Sequence, residues 1–333
     1  MFDLSKTAEQ FQLHDALRAM LSSECAAERV RASESTGHDG SLWARCMELS
    51  LLEMAIPGNG ATFLDSAFAA ETLGEFLAPV PLIDASVAIR LVARLDEPML
   101  LEKALSGDVI LAVASRPPVN GTLVAAPSGA VAHHVLYLDG DALAITCDQV
   151  PGRAAPNLGG LAVADRRIAG SRVLAFGSLA RSRFQRAVAE WKALTAAQLT
   201  GAGRRALRLG IDYAREREAF GVKVASFQAI AHRLADVATA LDAAQLLAWE
   251  AAWAHDGRPA DAAALSSMAL ILAAETAGFA TKESLHVFGG YGFMLEYDIQ
   301  LYFRRVKAMT LIAGDIRREP EHLADLLWSG DTT

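Results

Sequence analysis

Apolar residues recur at helical spacing through roughly the first third of the chain. Residues 7–21 place apolar side chains three or four positions apart, and the same spacing returns around Trp43 and around Phe68. Stretches rich in glycine and proline separate these segments, and a further helix is expected over residues 84–95. Residues 1–106 are therefore predicted to form an N-terminal helical domain.

From about Gly107 the pattern changes to short runs of apolar residues with high β propensity. The runs cover residues 109–114, 123–126, 135–138 and 143–146, and turn-forming residues separate them. Asp139-Gly140, between the last two runs, is typical of a β-hairpin turn. Residues 107–177 are therefore predicted to form a small, shortened β domain.

Helical spacing returns at Ser178 and continues almost to the end of the chain. Long helices are predicted over residues 184–216, 227–255 and 261–288, and a last one over about 297–310. Short turns join these helices, which is typical of an antiparallel bundle. Residues 178–333 are therefore predicted to form a C-terminal four-helix bundle, and the fold class is mostly α with a small β domain.

Composition limits the partners and the compartment that we expect. The chain has 333 residues, 52% of them hydrophobic, and a net charge of −8, which fits a soluble protein of more than one domain. The negative charge argues against a nucleic acid or an anionic membrane as partner. The chain begins with no signal-peptide pattern, and its longest apolar stretch, residues 268–280, is too short to span a bilayer. We therefore expect a cytoplasmic protein, and we expect no metal site because its cysteines show no CxxC spacing.

The connection between the first two long bundle helices carries a candidate phosphate-binding motif. It reads Arg217-Glu-Ala-Phe220-Gly221, and Gln228 follows seven residues after the glycine. Gly221 permits a sharp turn, and the guanidinium of Arg217 offers a planar fork of donors that suits a pyrophosphate. Gln228 has both a donor and an acceptor for a phosphate or a ring edge. A solvated arginine and glutamine after a helix end are the alternative interpretation.

A glycine-rich turn ends the third long helix. Its sequence is His286-Val-Phe-Gly289-Gly290-Tyr-Gly292. Glycines let the backbone approach a ligand closely, and free backbone amides suit a phosphate. Alone, such a turn is more often an ordinary helix stop.

Together, these two segments resemble the C-terminal signatures of the acyl-CoA dehydrogenase family, whose members depend on FAD. The predicted order of helical domain, β domain and helical bundle is also the order of that fold. The resemblance implies that Arg217, Phe220 and Gln228 contact the FAD of a neighbouring subunit. It places the adenosine diphosphate end of FAD at the turn formed by Gly289, Gly290 and Gly292, where His286 replaces the family's usual glutamine.

The catalytic base of the family has no obvious counterpart. The usual glutamate precedes a glycine, and the matching stretch, residues 312–315, has Ala313 in its place. Some members carry the glutamate on the helix that leads into the first signature, and counting back from that signature reaches Trp191. Glu190 is one residue away, a rotation of about 100°, and is the candidate catalytic residue; a surface glutamate is the alternative. Asp315 is a weaker candidate.

The middle domain also departs from the family. No tryptophan lies between Trp43 and Trp191, although the family places one against the flavin ring from this domain. The contacts to a neighbour's FAD are thus kept, while those to a FAD in the same chain are missing. In this respect the chain resembles the short subunit of heteromeric bacterial acyl-CoA dehydrogenases, some of which act in steroid side-chain breakdown.

The resemblance implies α,β-dehydrogenation of an acyl-CoA thioester, as in lipid metabolism. It implies a homotetramer, or a heterotetramer with a second acyl-CoA dehydrogenase-like chain that carries the base, and electron-transferring flavoprotein as acceptor. A self-sufficient enzyme would need Glu190 or another carboxylate as base. A flavin monooxygenase, a nitroalkane oxidase-like enzyme on the same fold, and a non-catalytic subunit remain the alternatives.

Overall fold

A computed structural model describes residues 7–147, 151–314 and 316–328 of the chain. Its N-terminal part is helical, as predicted. The helices are α1 (Ala8–Glu24), α2 (Ala27–Ala32), α3 (Gly40–Glu48), α4 (Phe63–Glu75), α5 (Leu82–Ala93) and α6 (Pro98–Leu105). The N-cap of α4 is Thr62. Asp65 lies three residues further on and completes a capping box with it.

The β region contains a four-stranded sheet and a separate pair of strands. The strands are β1 (Leu111–Ala114), β2 (Thr122–Ala126), β3 (His134–Asp139), β4 (Ala142–Ile145), β5 (Ala164–Arg167) and β6 (Arg172–Phe176). The sheet order is β1-β3-β4-β6, with β1 and β3 parallel and the other neighbours antiparallel, while β2 pairs with β5. The predicted hairpin at Asp139-Gly140 is confirmed, because β3 and β4 pair directly across it.

The sequence pattern predicted neither β5 nor β6, and of these two strands β5 is the one rich in charged residues. β5 reads Ala-Asp-Arg-Arg, and yet Arg166 within it is buried. Its guanidinium donates hydrogen bonds to the carbonyl oxygens of Gly129, Ala132 and His133. A buried arginine that satisfies backbone carbonyls leaves no apolar alternation for a sequence pattern to detect.

The C-terminal part is a helical bundle built around a helix of 39 residues, α7 (Ser178–Glu216). The other elements are β7 (Glu218–Ala219), β8 (Val222–Lys223), α8 (Gln228–Gly257), α9 (Pro259–Phe288), α10 (Ile299–Ile312) and α11 (Glu319–Trp328). The fold class is confirmed: α7 to α10 form the predicted bundle. The predicted domain limits fall in the connections α6–β1 and β6–α7.

Glycines let α7 approach its neighbours closely. A side-chain carbon added at Gly201 would lie 1.9 Å from the carbonyl oxygen of Glu71 in α4, and one at Gly74 would lie 1.9 Å from that of Gln198. The two helices therefore cross with their backbones in contact. This crossing fixes α7 against the segment that leads from α4 into α5.

α9 and the turn after it form one apolar segment. Residues Pro259–Phe293 are long and apolar enough to cross a membrane by length and composition, and half of the most apolar window is buried. This segment extends on both sides of residues 268–280, the apolar stretch that was considered too short to span a bilayer. Ala269, Ala273 and Ala277 are fully buried inside the bundle, as expected for a core helix.

Candidate functional site

A cavity of about 90 Å³ lies where the three parts of the chain meet. The α4–α5 connection lines one side of it, and the first turn of α5 contributes Asp84. The β2–β3 connection contributes Ser128. α7 contributes Trp191, while α10 contributes Arg305 and Ile312. Ligand pockets usually measure about 300–1,000 Å³, so this cavity has room for the reacting end of a ligand and not for a whole cofactor.

Of the two places that the resemblance assigns to a base, one lines this cavity and the other lies next to it in the chain. Trp191 lines it directly, and Ile312, which precedes Ala313, lines it from α10. Neither place carries a carboxylate. Asp315, the weaker candidate named above, lies outside the described residues.

Glu190 points away from the cavity into a buried ion cluster. It is fully buried, so the surface interpretation is wrong. Arg90 Nε lies 3.1 Å from its carboxylate, and Arg94 Nη1 donates a hydrogen bond of 3.0 Å to Oε2. Burial alone would raise the pKa of Glu190, but the hydrogen bond from Arg94 and the charges of both arginines outweigh burial and lower it. A base in a dry site needs a raised pKa, so these surroundings favour a structural role. Its role as base stays a prediction.

His255 lies beside this cluster and makes stability depend on pH. Its Nε2 is 3.1 Å from the Ser266 hydroxyl, and its ring contacts Phe63 edge-on at 4.8 Å. Burial lowers the pKa of His255 from 6.5 to about 4, although the charge of Glu190 opposes this. The folded protein therefore holds the imidazole neutral where the unfolded chain takes up a proton.

We expect the free energy of unfolding to be highest above pH 6.5 and to fall as the pH drops from 6.5 towards 4. The His255 contribution to this loss is about 3 kcal/mol at most, since one pKa unit corresponds to about 1.4 kcal/mol. Urea denaturation at a series of pH values measures it. His255→Gln, which does not titrate there, should flatten the curve; parallel curves for both proteins would contradict the assignment.

The cavity does contain a carboxylate that the sequence did not single out. Asp84, in the first turn of α5, accepts a hydrogen bond of 2.7 Å from Nε1 of Trp191 and another from the hydroxyl of Ser128. Burial raises the pKa of Asp84, although both hydrogen bonds oppose the rise. In the sequence Asp84 marked only the start of a helix. No spacing links it to Trp191, which lies 107 residues further along the chain.

Arg305 gives the cavity wall a positive charge. It is buried and donates hydrogen bonds to the carbonyl oxygens of Gly159 and Leu77. Burial lowers the pKa of Arg305 to about 10, so it remains protonated at neutral pH. The wall therefore carries a cation that is held by backbone carbonyls.

The first signature lies on the outer surface of the bundle. Arg217 ends α7 and is exposed, with its guanidinium 5.7 Å from the centre of the Tyr291 ring. β7 and β8 form a tight hairpin whose central residues, Phe220 and Gly221, have φ angles of 54° and 80°. Phe220 is 97% exposed, and Gln228 is exposed at the start of α8.

The second signature lies next to the first, because aromatic rings join them. Tyr213 of α7 stacks on Phe288 at the end of α9, with ring centres 4.0 Å apart. Beyond Phe288, Gly289 and Gly290 are exposed, and a side-chain carbon at either would meet no heavy atom within 4 Å. The backbone at this turn is therefore open to a ligand.

The other two residues of the second signature differ in exposure. His286 is exposed on the last turn of α9, where its side chain is available to a ligand. Gly292 is buried, and a side-chain carbon there would lie 2.9 Å from the carbonyl oxygen of Leu285. Close packing against α9 is thus sufficient to explain this glycine. The assigned contacts of both residues stay predictions.

These surfaces fit the diphosphate end of a dinucleotide that approaches from outside the chain. An exposed guanidinium and an open glycine backbone lie side by side, and both suit phosphate oxygens. The cavity, in contrast, is lined by both apolar and polar side chains, with Ser128 as its hydroxyl from the β region. The chain therefore presents this phosphate-type surface outward.

Known proteins resemble this chain in both sequence and fold. Residues 160–324 match the family described as "Acyl-CoA dehydrogenase, C-terminal domain". Acyl-CoA dehydrogenase IpdE2 of Mycolicibacterium smegmatis is 27% identical over 325 residues, which cover 95% of this chain and 97% of that protein. The caffeyl-CoA reductase-Etf complex subunit CarC of Acetobacterium woodii is 38% identical over 119 residues, 36% of this chain and 31% of that protein.

A solved structure with the same fold is the ChsE4-ChsE5 complex from Mycobacterium tuberculosis. One of its chains matches with a TM-score of 0.86 at 24% identity, and each chain is covered completely. Taken with the family match over the bundle and the full-length relative, the shared fold extends the likeness to all three parts of the chain. The chain belongs to the acyl-CoA dehydrogenase family.

Proposed function

We propose that this chain is a subunit of a FAD-dependent acyl-CoA dehydrogenase, which removes hydrogen from the α and β carbons of a CoA thioester. The observation that carries the proposal is the cavity that Trp191 lines at one family position for a base, and that Ile312 lines next to the other position, Ala313. Membership of the family and the outward-facing Arg217, Gln228 and Gly289-Gly290 surface support the cofactor.

We propose further that a second acyl-CoA dehydrogenase-like chain completes the site. This chain keeps the surface that faces a neighbour's FAD, and its own β region lacks a tryptophan for the flavin ring. The structural relative named above is a complex of two differently named chains, which supports a heteromeric assembly. A heterotetramer in the cytoplasm is the assembly that we favour over a homotetramer.

The residues of this chain have separable tasks in that reaction. Bound FAD supplies the two-electron acceptor for the hydrogen that leaves the β carbon. Arg217 would neutralise the diphosphate of a FAD held by the neighbouring chain, and Gln228 would orient it. The apolar walls around Trp191 and Ile312 keep water from the reacting carbons. Arg305 places a positive charge near developing negative charge on the thioester.

Electron-transferring flavoprotein is the acceptor that we propose for the reduced enzyme. The relative CarC is named as a subunit of a reductase-Etf complex, and it matches part of this chain. Reoxidation by purified electron-transferring flavoprotein, followed by its absorbance, would test this proposal. Reoxidation by oxygen with hydroxylation of the substrate would favour the monooxygenase alternative instead.

The visible absorption spectrum of the purified chain is the first test of the proposed function. We expect little flavin in the chain alone and about one FAD per site after co-expression with its partner chain. The yellow assembly should then convert an acyl-CoA from a panel of thioesters into the enoyl-CoA. A flavin-free assembly, or a flavin-loaded one that oxidises no thioester, would contradict the proposal.

Arg217→Gln is expected to weaken retention of FAD by the assembly about 10- to 100-fold. Loss of a charge-assisted hydrogen bond to a phosphate costs about 1.5–3 kcal/mol, and Arg217 is exposed for such a contact. The dissociation constant, measured by flavin fluorescence, reports the change. Arg215→Gln, an exposed arginine of the same helix end, is the matched control and should retain FAD normally. Equal effects from both would indicate a general loss of positive charge.

A further inference from the structure

We propose that a groove between α1, α4 and α7 is a docking site for an acidic segment of a partner protein. The groove has a volume of about 750 Å³ and shares no lining residue with the small cavity or with the surface proposed for FAD. The inference therefore goes beyond the proposed function and does not depend on it. We call it the arginine groove, because five arginines line it: Arg18, Arg204, Arg205, Arg208 and Arg215.

The arginine groove concentrates positive charge in a chain whose net charge is −8. Against the five guanidinium groups, its lining has three carboxylates, which belong to Glu71, Glu75 and Asp212. The two carboxylates from α4 already have partners. Glu71 accepts hydrogen bonds from Gln245 and Trp249, and Glu75 accepts one from Arg18. The groove therefore has an excess of positive charge that its own carboxylates do not balance.

Three of the arginines have no carboxylate of their own. Arg205 is hydrogen-bonded to the hydroxyl of Tyr302, and Arg208 and Arg215 are exposed. Within the part of the chain that the structure describes, none of these three arginines forms an ion pair. In the same part of the chain, Nε of Arg204 is buried without a hydrogen-bond partner. The groove thus offers guanidinium donors that suit the carboxylates of another molecule.

The spacing of the arginines favours a protein segment over a small anion. Arg204, Arg208 and Arg215 lie on one face of α7, because they are four and seven residues apart. The distance along α7 from the first to the last is about 16 Å at 1.5 Å per residue. A phosphate or diphosphate is too short to contact all three. An acidic helix that lies along α7 is long enough, and glutamates at the same spacing share one of its faces.

The carboxylates of the groove disfavour a nucleic acid as its partner. A nucleic acid carries a phosphate on every nucleotide and binds through dense positive charge. Asp212 lies between Arg208 and Arg215 in α7, and Glu71 and Glu75 line the groove from α4. A continuous row of phosphates would be repelled there, and the net negative charge of the chain adds to this repulsion. A protein segment avoids the repulsion by placing an apolar or basic side chain opposite Asp212.

Binding of an acidic peptide to the purified full-length chain tests the inference. The probe is a fluorescein-labelled, alanine-based helical peptide whose glutamates are four and seven residues apart, and fluorescence anisotropy measures its dissociation constant. We expect Arg208→Glu to weaken binding about 10-fold, because the substitution replaces an attraction by a repulsion. Arg167→Glu is the matched control, since it reverses an exposed arginine of β5 that does not line the groove. It should bind the peptide like the wild type.

A milder variant and two changes of condition complete the experiment. Arg208→Gln removes the charge without reversing it, so its affinity should lie between those of the wild type and Arg208→Glu. A peptide with glutamine in place of each glutamate should not bind. Raising the salt concentration from about 50 mM to about 500 mM should weaken binding of the acidic peptide, since contacts between exposed charges are screened.

The possible results either support the inference or overturn it. Equal affinities of the wild type and Arg208→Glu for the acidic peptide overturn it, and so does an equal loss in Arg167→Glu, which would indicate a general effect of charge. A single-stranded oligonucleotide that displaces the peptide at lower concentration than unlabelled peptide does would also overturn it. None of these measurements involves FAD or a thioester, so failure here leaves the proposed function standing, and failure of that function leaves the docking site standing.

Discussion

Glu190→Gln is expected to lower the free energy of unfolding by about 3–5 kcal/mol, the usual cost of removing one partner from a buried ion pair. Arg90 is 3% exposed and Arg94 17%, so the substitution leaves two largely buried guanidinium groups beside a neutral amide. Urea denaturation measures this loss of free energy, provided that the m-value of the variant equals that of the wild type. Glu97→Gln, which breaks an exposed pair with Arg172, is the control and should cost about 1 kcal/mol or less.

The same variant separates the two interpretations of Glu190. If the residue supports the packing of α5 on α7, stability falls and the folded fraction still exchanges the α-hydrogen of a thioester. If it is the base, exchange disappears from fully folded protein. Stability close to that of the wild type with lost exchange would return Glu190 to the catalytic role.

Gly201→Ala should destabilise the chain by about 3 kcal/mol, the upper part of the range for overpacked sites. The new carbon would lie 1.9 Å from the carbonyl oxygen of Glu71, so the backbones of α4 and α7 must move apart. Gly278→Ala in α9 is the control, because its new carbon meets no heavy atom within 4 Å. That substitution should stabilise the chain by about 1 kcal/mol through helix propensity.

If Gly201→Ala lowers the free energy of unfolding and Gly278→Ala raises it, the crossing of α4 and α7 depends on glycine. The crossing also positions the cavity, since Gln198 lines the cavity and its carbonyl oxygen contacts Gly74. We therefore expect Gly201→Ala to lower turnover as well. Equal stabilisation by both substitutions would contradict the close approach.

The long periodic segments were predictable from sequence, whereas the cofactor contacts of the two signatures stay predictions. The bundle helices carry sustained helical spacing, and Arg217 and Gly289 lie in local motifs whose chemistry is evident from neighbouring residues. The hairpin at Asp139-Gly140 was predictable for the same reason: its signal is contained in a few consecutive residues.

The interior of the site was not predictable, because it depends on pairs of residues far apart in the chain. Asp84 and Trp191 are 107 residues apart, and Arg94 and Glu190 are 96 apart. A single sequence contains no information on which buried carboxylate receives guanidinium groups and which faces a cavity. Glu190 and Asp84 therefore looked alike as isolated acids, although arginines surround Glu190 and hydrogen bonds from Ser128 and Trp191 hold Asp84 in the cavity wall.

The exposed ring of Phe220 would link cofactor binding to assembly in the proposed function. It is 97% exposed at the tip of the β7–β8 hairpin, and burying such a ring contributes about 1.5–3 kcal/mol. If a neighbouring chain and its FAD cover this tip together, association and cofactor binding are thermodynamically coupled. Each then strengthens the other by the same factor. The melting temperature of the assembly would rise with the concentrations of both protein and FAD, and dilution alone would release the cofactor.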